Sequence, residues 1–272
     1  MVKTRLKIIY QKEKPRVVCD TNVWFQISAG KYSSPEDYEL SPTAFSLIEL
    51  ATSQVMVELP KFYQNTVRII YDNGGSIIPE NPFDFVLQNQ FKDYTSGESP
   101  NLFKILKDFS ELLSREIKED DLIDEEIKTK VIKECQGQRT ITKELAEIGN
   151  QDLIELRKNI NTSIGKKEHL KIDGSEINRQ MFKSFINDYT ETRKYSVDWD
   201  KFDWTKIELF MIVTESYFKK LETTKGMKIQ PNDIVDWFNL LYVQPDDKYL
   251  TFEKRWRNFI MSNEESKKYL LK

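Results

Sequence analysis

The feature that most constrains the fold is a continuous apolar run, RVVCD at residues 16–20, that ends in an aspartate. Strands buried on both faces of a parallel sheet have such unbroken runs instead of alternating polar and apolar residues. The run therefore predicts a short buried strand with Asp20 at its carboxyl end. Because sites in open parallel sheets form beyond the carboxyl ends of the strands, Asp20 is a candidate site residue. The alternative is that Asp20 and Asn22 only cap a local turn.

The sequence that follows predicts an α/β arrangement. Residues 31–40 have the composition of a loop, and SPTAFSLIELAT (41–52) predicts a helix with Ser as N-cap and Pro as its first residue. A second helix is predicted over about 54–72, ended by NGG at 73–75. The short apolar segment 76–79 is predicted as a second strand.

The remainder of the chain predicts a long helical segment followed by a return to the sheet. Residues 101–222 are charged and show amphipathic helical spacing almost throughout, with Asp203 as the N-cap of the last helix. A capped helix is predicted over 231–241, a strand over 248–252 and a final helix from 255 to the end. We therefore expect an α/β fold with a central parallel sheet, interrupted by a mostly α-helical insertion. The predicted boundaries, in order, are 1–95 for the first part of the α/β domain, 96–227 for the insertion and 228–272 for the second part.

Composition excludes several kinds of enzyme site. His169 is the single histidine, and Cys19 and Cys135 are the only cysteines, so histidine-rich metal sites, cysteine zinc sites and disulfide frameworks are not supported. The net charge of −3 does not indicate nucleic-acid binding, although the basic arm at 1–16 is a candidate RNA contact. No apolar run is long enough to cross a bilayer, so we expect a cytoplasmic protein without membrane contact.

Carboxylates are the remaining candidates for chemistry, and several fall where an α/β fold would collect them. Asp20 and Glu253 end predicted strands, Glu49 lies on the first predicted helix, and Asp233 and Asp236 share a face of the later helix. Clustered like charges repel each other unless a cation lies between them. Oxygen ligands suit Mg²⁺ or Mn²⁺, which can activate water for phosphodiester cleavage.

These segments resemble the PIN-domain ribonuclease family. VVCDTNVW is similar to the opening motif of that family, and SLIELA resembles the helix with its second acid, here Glu49. PNDIVDWFNLLYV resembles the helix with the third acid, best matched by Asp236, with Asp233 nearby. DDKYLTFEKRW is similar to the closing pattern and places Glu253 at the fourth acid. The resemblance covers about residues 15–85 and 228–260 and leaves the helical middle unmatched.

The resemblance implies a PIN-like three-layer fold and a metal-dependent endoribonuclease. Its metal would be Mg²⁺ or Mn²⁺, with Asp20, Asp236 and Glu253 as ligands and Asp233 as a further candidate. The catalytic set would be these three ligands and Glu49. Two departures matter: the fourth acid is Glu where the family more often has Asp, and the chain ends soon after it. The insertion is unusual for this family, and a lid, a substrate-binding arm and an assembly surface are the roles that remain open.

Other residues near these motifs have both structural and functional interpretations. Asn22 and Thr251 are predicted to orient ligands or water around the acids. Lys254 and Arg255 are candidate phosphate contacts, and a solvated helix face is the alternative. Asp233 is equally consistent with a helix cap. Asp247 precedes the last predicted strand and is interpreted as a turn residue at the opposite edge.

The sequence alone thus predicts a ribonuclease and leaves its role open. A nuclease that acts on DNA, single-stranded DNA included, or on structured RNA such as tRNA is one alternative. A catalytically inactive PIN-fold module that binds nucleic acid or serves as a scaffold is another. A toxin of a toxin–antitoxin pair and a defence effector both fit such a fold. For either role, a second copy of the chain or a protein inhibitor is an expected partner.

Overall fold

A computed structural model of the protein describes residues 14–75, 77–97, 100–117, 174–224 and 226–271. Between 118 and 173 it describes only scattered helical positions, among them 142–144 and 146–151. Most of the basic arm, Cys135, His169 and most of the predicted helical pattern between 118 and 173 lie outside the described residues.

Three parallel strands form the centre of the fold, in the order β2-β1-β3. They are β1 (Arg16–Cys19), β2 (Glu39–Pro42) and β3 (Lys248–Leu250). Val18 of β1 lies opposite Ser41 on one side and opposite Tyr249 on the other. The prediction of a buried first strand and of an α/β fold with a parallel sheet is therefore confirmed.

Helices make up most of the rest of the described chain. They are α1 (Thr21–Ser28), α2 (Ala44–Ala51), α3 (Val55–Glu58), α4 (Pro60–Asn73), α5 (Pro82–Gln90), α6 (Pro100–Ser114), α7 (Gly174–Glu191), α8 (Glu208–Thr223), α9 (Pro231–Asn239), α10 (Lys254–Met261) and α11 (Glu264–Lys267). Two 3-10 turns, Trp204–Ile207 and Leu240–Tyr242, precede α8 and follow α9. Asp203 accepts a hydrogen bond from the Thr205 amide and so caps a helical segment as predicted, but this segment is the 3-10 turn Trp204–Ile207 that leads into α8.

The interpretation of residues 39–42 as a loop and a helix start is wrong. These residues form β2, and Thr43 caps α2 by accepting a hydrogen bond from the Ser46 amide. The Ser-Pro pair imitates a cap followed by a first helical residue, but Pro42 closes a strand instead. Pro42 has no N–H to donate, and its carbonyl accepts a hydrogen bond from Ile78, which suits a strand end.

Short bridges extend the sheet at both sides. The strand predicted over 76–79 is reduced, among the described residues, to a single parallel bridge between Thr43 and Ile78. The single final helix predicted from 255 to the end is also wrong. It is divided into Lys254–Met261 and Glu264–Lys267, and beyond it Leu270 forms a parallel bridge with Tyr249 of β3. The C-terminal segment thus covers the outer edge of β3.

The sheet separates two apolar cores, so that helices cover both of its faces. Val18 belongs to one core with Phe182 of α7 and Phe210 of α8. Val17 and Cys19 point the opposite way, into a core built with α2 and α4. Part of the predicted insertion of 96–227, namely α7 and α8, therefore packs directly on the α/β core.

Candidate functional site

Asp20 lies at the junction of β1 and α1 and is almost completely buried. Its backbone amide donates to the Leu250 carbonyl, which ties the end of β1 to the end of β3. Oδ1 of Asp20 accepts from the Thr21 amide at 2.6 Å, and Oδ2 accepts from Asn22 Nδ2 at 2.8 Å. Asp20 is thus the N-cap of α1, and the local capping interpretation describes part of its role.

The loop after β3 supplies a second set of contacts to Asp20. Thr251 Oγ1 donates to Oδ2 of Asp20 at 2.7 Å and accepts from the Glu253 amide at 3.0 Å. Asn22 Oδ1 accepts from the Phe252 amide at 3.1 Å. The structure therefore places Asn22 and Thr251 directly beside Asp20, while Glu253 itself is solvent-exposed at the start of α10.

Glu49 is brought to the same edge by α2. The capping box between Thr43 and Ser46 fixes the start of this helix at the end of β2. Thr21 Oγ1 donates to Oε2 of Glu49 at 2.6 Å, so one residue orients both Asp20 and Glu49. Burial raises the pKa of Glu49, the Thr21 hydrogen bond opposes this, and the charge of Glu253 raises it further.

Asp236 reaches the site from α9. Proline at the first position and a capping box at Gln230 begin this helix, whose buried face includes Ile234 and Trp237. Trp256 Nε1 of α10 donates to Oδ2 of Asp236 at 2.8 Å. This contact fixes the carboxylate between two helices that pack on the same core.

Burial and mutual repulsion act together on Asp20, Glu49 and Asp236, and the charge of Glu253 adds to the repulsion. The pKa of Asp20 is raised to about 7, first by burial and then by the charge of Glu49, with a smaller contribution from Glu253. The hydrogen bonds from Thr251 and from the Thr21 amide oppose this rise. In the absence of a cation, Asp20 therefore holds a proton more readily than an ordinary aspartate does.

Asp236 is perturbed in the same way and more strongly. Its pKa is raised to about 9, first by burial and then by the charges of Asp20 and Glu49. The Trp256 hydrogen bond lowers it, and Glu253 raises it again. Four acids from four different elements thus act on one another at the carboxyl edge of the sheet.

Asp233 lies in a different environment from these four acids. It is buried, and it accepts hydrogen bonds from the Gln230 amide at 2.7 Å, Tyr217 Oη at 2.9 Å and Arg255 Nη1 at 2.5 Å. Asp233 therefore caps α9 and pairs with Arg255, and both side chains are held by protein contacts. Lys254, in contrast, is exposed at the start of α10.

Asp247 occupies the opposite edge of the sheet, as the sequence predicted. Its carboxylate accepts from the Gln244 amide at 2.9 Å, which closes the turn before β3. It also forms an ion pair with Arg16 at the beginning of β1. Asp247 thus holds the amino ends of β1 and β3 together and is separate from the four acids.

Sequence reasoning missed three residues that shape the site. Thr21 bridges Asp20 and Glu49, and Trp256 holds Asp236. Tyr249 of β3 is fully buried, and burial together with the charges of Asp20 and Asp236 raises its pKa. An aromatic residue in an apolar strand gives no signal of such a neighbourhood, because its partners come from distant segments.

The donor set suits a hard divalent cation, although the side chains are arranged around protein donors. Across the described residues, no group of three or more Asp, Glu, His or Cys side chains forms a ready metal site. The oxygens of Asp20, Glu49 and Asp236 bond to protein hydroxyl, amide and indole groups instead. The four acids nevertheless offer only oxygen ligands, the kind that Mg²⁺ and Mn²⁺ prefer. A cation among them would relieve the repulsion that contributes to the raised pKa values of Asp20, Glu49 and Asp236.

Comparison with known proteins returns no relative. No family model, no curated protein and no solved structure matches this chain. Among the helices that the structure describes, none combines the length and apolar character required to span a membrane. The function must therefore be argued from the geometry and chemistry of the site itself.

Proposed function

We propose that this protein is a metal-dependent endoribonuclease with a PIN-like fold. The observation that carries the proposal is the meeting of Asp20, Glu49, Asp236 and Glu253, where each buried carboxylate is perturbed by the others. Such a concentration of like charge is costly for a folded protein and is characteristic of sites that act on a cation or a proton. The order of the four acids along the chain is the order of the resembling motifs.

The residues at the carboxyl edge fit Mg²⁺ or Mn²⁺ by the chemistry of their oxygen donors. Asp20, Asp236 and Glu253 would hold the ion, and Glu49 would assist them. When bound, the ion lowers the pKa of water and stabilises negative charge on the phosphate and on the leaving oxygen. No histidine is required for this chemistry, which agrees with the single histidine of the chain.

The protein groups around the acids supply orientation and proton transfer. Thr251, Asn22 and the Thr21 amide together fix both oxygens of Asp20. Thr21 Oγ1 fixes Oε2 of Glu49, so that Oε1 can accept a proton from the attacking water. These contacts hold the acids in place before substrate arrives, which favours catalysis.

The choice of RNA as substrate follows the resemblance to PIN-domain ribonucleases. DNA is the alternative substrate, and an inactive nucleic-acid-binding or scaffolding module is the alternative function. The experiment that separates them is a cleavage assay on mixed RNA and single-stranded DNA with Mg²⁺ or Mn²⁺. Cleavage of RNA by the wild-type protein is expected, and Asp20→Asn and Asp236→Asn should each abolish it.

A matched control is available at the protein surface. Glu264→Gln changes an exposed acid of α11 whose side chain is 87% accessible and should leave cleavage unchanged. If the Asp20→Asn protein and the Asp236→Asn protein both still cleave RNA, the proposal is wrong. Cleavage of DNA alone would replace RNA as the substrate but keep the site.

A further inference from the structure

Phe252 is an exposed aromatic residue placed between two residues of the carboxylate site. It follows Thr251, which donates to Asp20, and it precedes Glu253. Phe252 is 38% exposed, whereas Thr251 beside it is completely buried. Phe252 therefore keeps part of an aromatic side chain accessible in the loop that joins Thr251 to Glu253.

The backbone of Phe252 is fixed relative to Asp20. Its amide donates to Asn22 Oδ1, and Asn22 Nδ2 donates to Asp20. The ring contacts Tyr32, with centroids 5.1 Å apart and ring planes inclined by 70°. Tyr32 is itself half-buried and packs against the core beneath α1 and α2. Phe252 is therefore a partly accessible ring that Tyr32 supports, and its backbone is linked through Asn22 to Asp20.

We propose that Phe252, supported by Tyr32, is a stacking site for an unpaired base adjacent to the cleaved phosphate. This inference rests on the proposed function and specifies its substrate as single-stranded RNA. Aromatic side chains stack on bases of any identity, because every base has a π face. The bases of an A-form duplex are already stacked on one another and cannot reach such a ring. The site would therefore select single strands without selecting a sequence.

Adjacency to the acids favours a base over other apolar occupants. A ligand that reaches the four carboxylates through a phosphate carries a base within one nucleotide of that phosphate. On the protein, Asn22 alone joins Asp20 to the Phe252 backbone, through hydrogen bonds of 2.8 and 3.1 Å. Packing of Phe252 on Tyr32 as part of the core is the competing explanation, and substitution can separate the two.

The test uses binding, which is independent of cleavage. A Glu49→Gln protein, which keeps the three proposed metal ligands but lacks the proposed proton acceptor, is titrated in the presence of Mn²⁺ with a single-stranded oligoribonucleotide that contains 2-aminopurine, whose fluorescence reports stacking. We expect Phe252→Leu in this background to weaken binding about tenfold, because leucine keeps the apolar packing on Tyr32 but has no π face. Phe252→Trp should bind at least as tightly as the parent. The same oligonucleotide annealed to its complement should bind weakly to all three proteins.

A matched control substitution lies on α6. Phe103 is 68% exposed and lies outside the loops that carry the acids, so Phe103→Leu should leave binding unchanged. The inference is overturned if Phe252→Leu binds the single strand like its parent, or if the parent does not bind the probe. If the wild-type protein cleaves RNA and the single variant Phe252→Leu cleaves it at the same rate, this inference is overturned and the proposed nuclease stands. If Phe252 stacks on the probe but the wild-type protein cleaves no RNA, the proposed nuclease is overturned and the stacking site stands.

Discussion

Thr251 Oγ1 donates to Oδ2 of Asp20 at 2.7 Å and thereby joins the carboxyl ends of two neighbouring strands. The two residues are separated by more than two hundred positions in the chain, and both are almost completely buried. The same hydroxyl accepts from the Glu253 amide, so one threonine orders one acid and the backbone of another. This relationship connects the fold to the proposed chemistry.

Removal of the Thr251 hydroxyl should affect both the stability of the protein and the pKa of Asp20. Thr251→Val keeps the shape of the side chain but removes one of the hydrogen bonds to Asp20 and the hydroxyl that the Glu253 amide donates to. We expect a loss of about 1–3 kcal/mol in the free energy of unfolding. The pKa of Asp20 should rise further, since the Thr251 hydrogen bond lowers it. Urea denaturation measures the first effect, and Thr251→Ser is the control that should recover most of the loss. Equal stability of Thr251→Val and wild type would show that the bond contributes nothing.

Asp236→Asn should stabilise the metal-free protein at alkaline pH. In the folded wild-type protein the pKa of Asp236 is about 9, whereas the ordinary value is 3.8. The folded protein therefore holds more protons than the unfolded chain between these two pH values. The contribution of Asp236 to the free energy of unfolding therefore falls as pH rises through this window. Asparagine removes that penalty and can still accept from Trp256.

The measurement is denaturation of wild type and variant in the presence of a chelator. The free energy of unfolding of Asp236→Asn should exceed that of wild type by on the order of a few kcal/mol at about pH 8 and by much less at about pH 5. A difference between the two proteins that does not change with pH would contradict the perturbed pKa of Asp236.

Binding of Mn²⁺ should release protons. Asp20 and Asp236 have raised pKa values in the metal-free protein, so a divalent cation must displace protons from them near neutral pH. Affinity should consequently increase with pH, and the heat of binding should depend on the ionisation enthalpy of the buffer. Calorimetric titration in two buffers measures this, with Asp20→Asn expected to bind much more weakly. Heats that are identical in both buffers would argue against ion binding by these acids.

Asp233→Asn should separate stability from catalysis. The substitution leaves Arg255 without its charged partner at a largely buried position, and we expect a loss of about 2 kcal/mol in the free energy of unfolding. Because Asp233 is held by Arg255 and Tyr217, the folded fraction should retain cleavage activity. Loss of cleavage in a folded Asp233→Asn protein would instead make Asp233 a ligand, which was the other interpretation of its sequence position.

The sequence predicted those parts of the fold that local pattern determines. A short continuous apolar run that ends at a turn residue is typical of a strand inside a parallel sheet, so β1 and the position of Asp20 were predictable. β2 was not, because its Ser-Pro pair carries the usual signal for a helix start and the strand depends on pairing with β1. The C-terminal bridge to Tyr249 was likewise decided by tertiary contact.

In the site, too, the sequence pattern predicted single residues but not the contacts between residues of distant segments. The four acids could be named from their positions at strand ends and on helices. The partners of Asp233 could not, because Tyr217 and Arg255 come from α8 and α10, and no local pattern distinguishes a cap from a ligand. The pairing of Thr21 with Glu49 was also invisible, since it depends on how α1 and α2 meet.

The central claim is that Asp20, Asp236 and Glu253 hold one divalent cation, and anomalous X-ray scattering tests it most directly. Crystals grown with Mn²⁺ and measured at the manganese absorption edge should show an anomalous peak about 2.1 Å from oxygens of these three carboxylates. The peak should be absent from Asp236→Asn crystals grown in the same solution. A wild-type structure at saturating Mn²⁺ with no peak among these carboxylates would contradict the account.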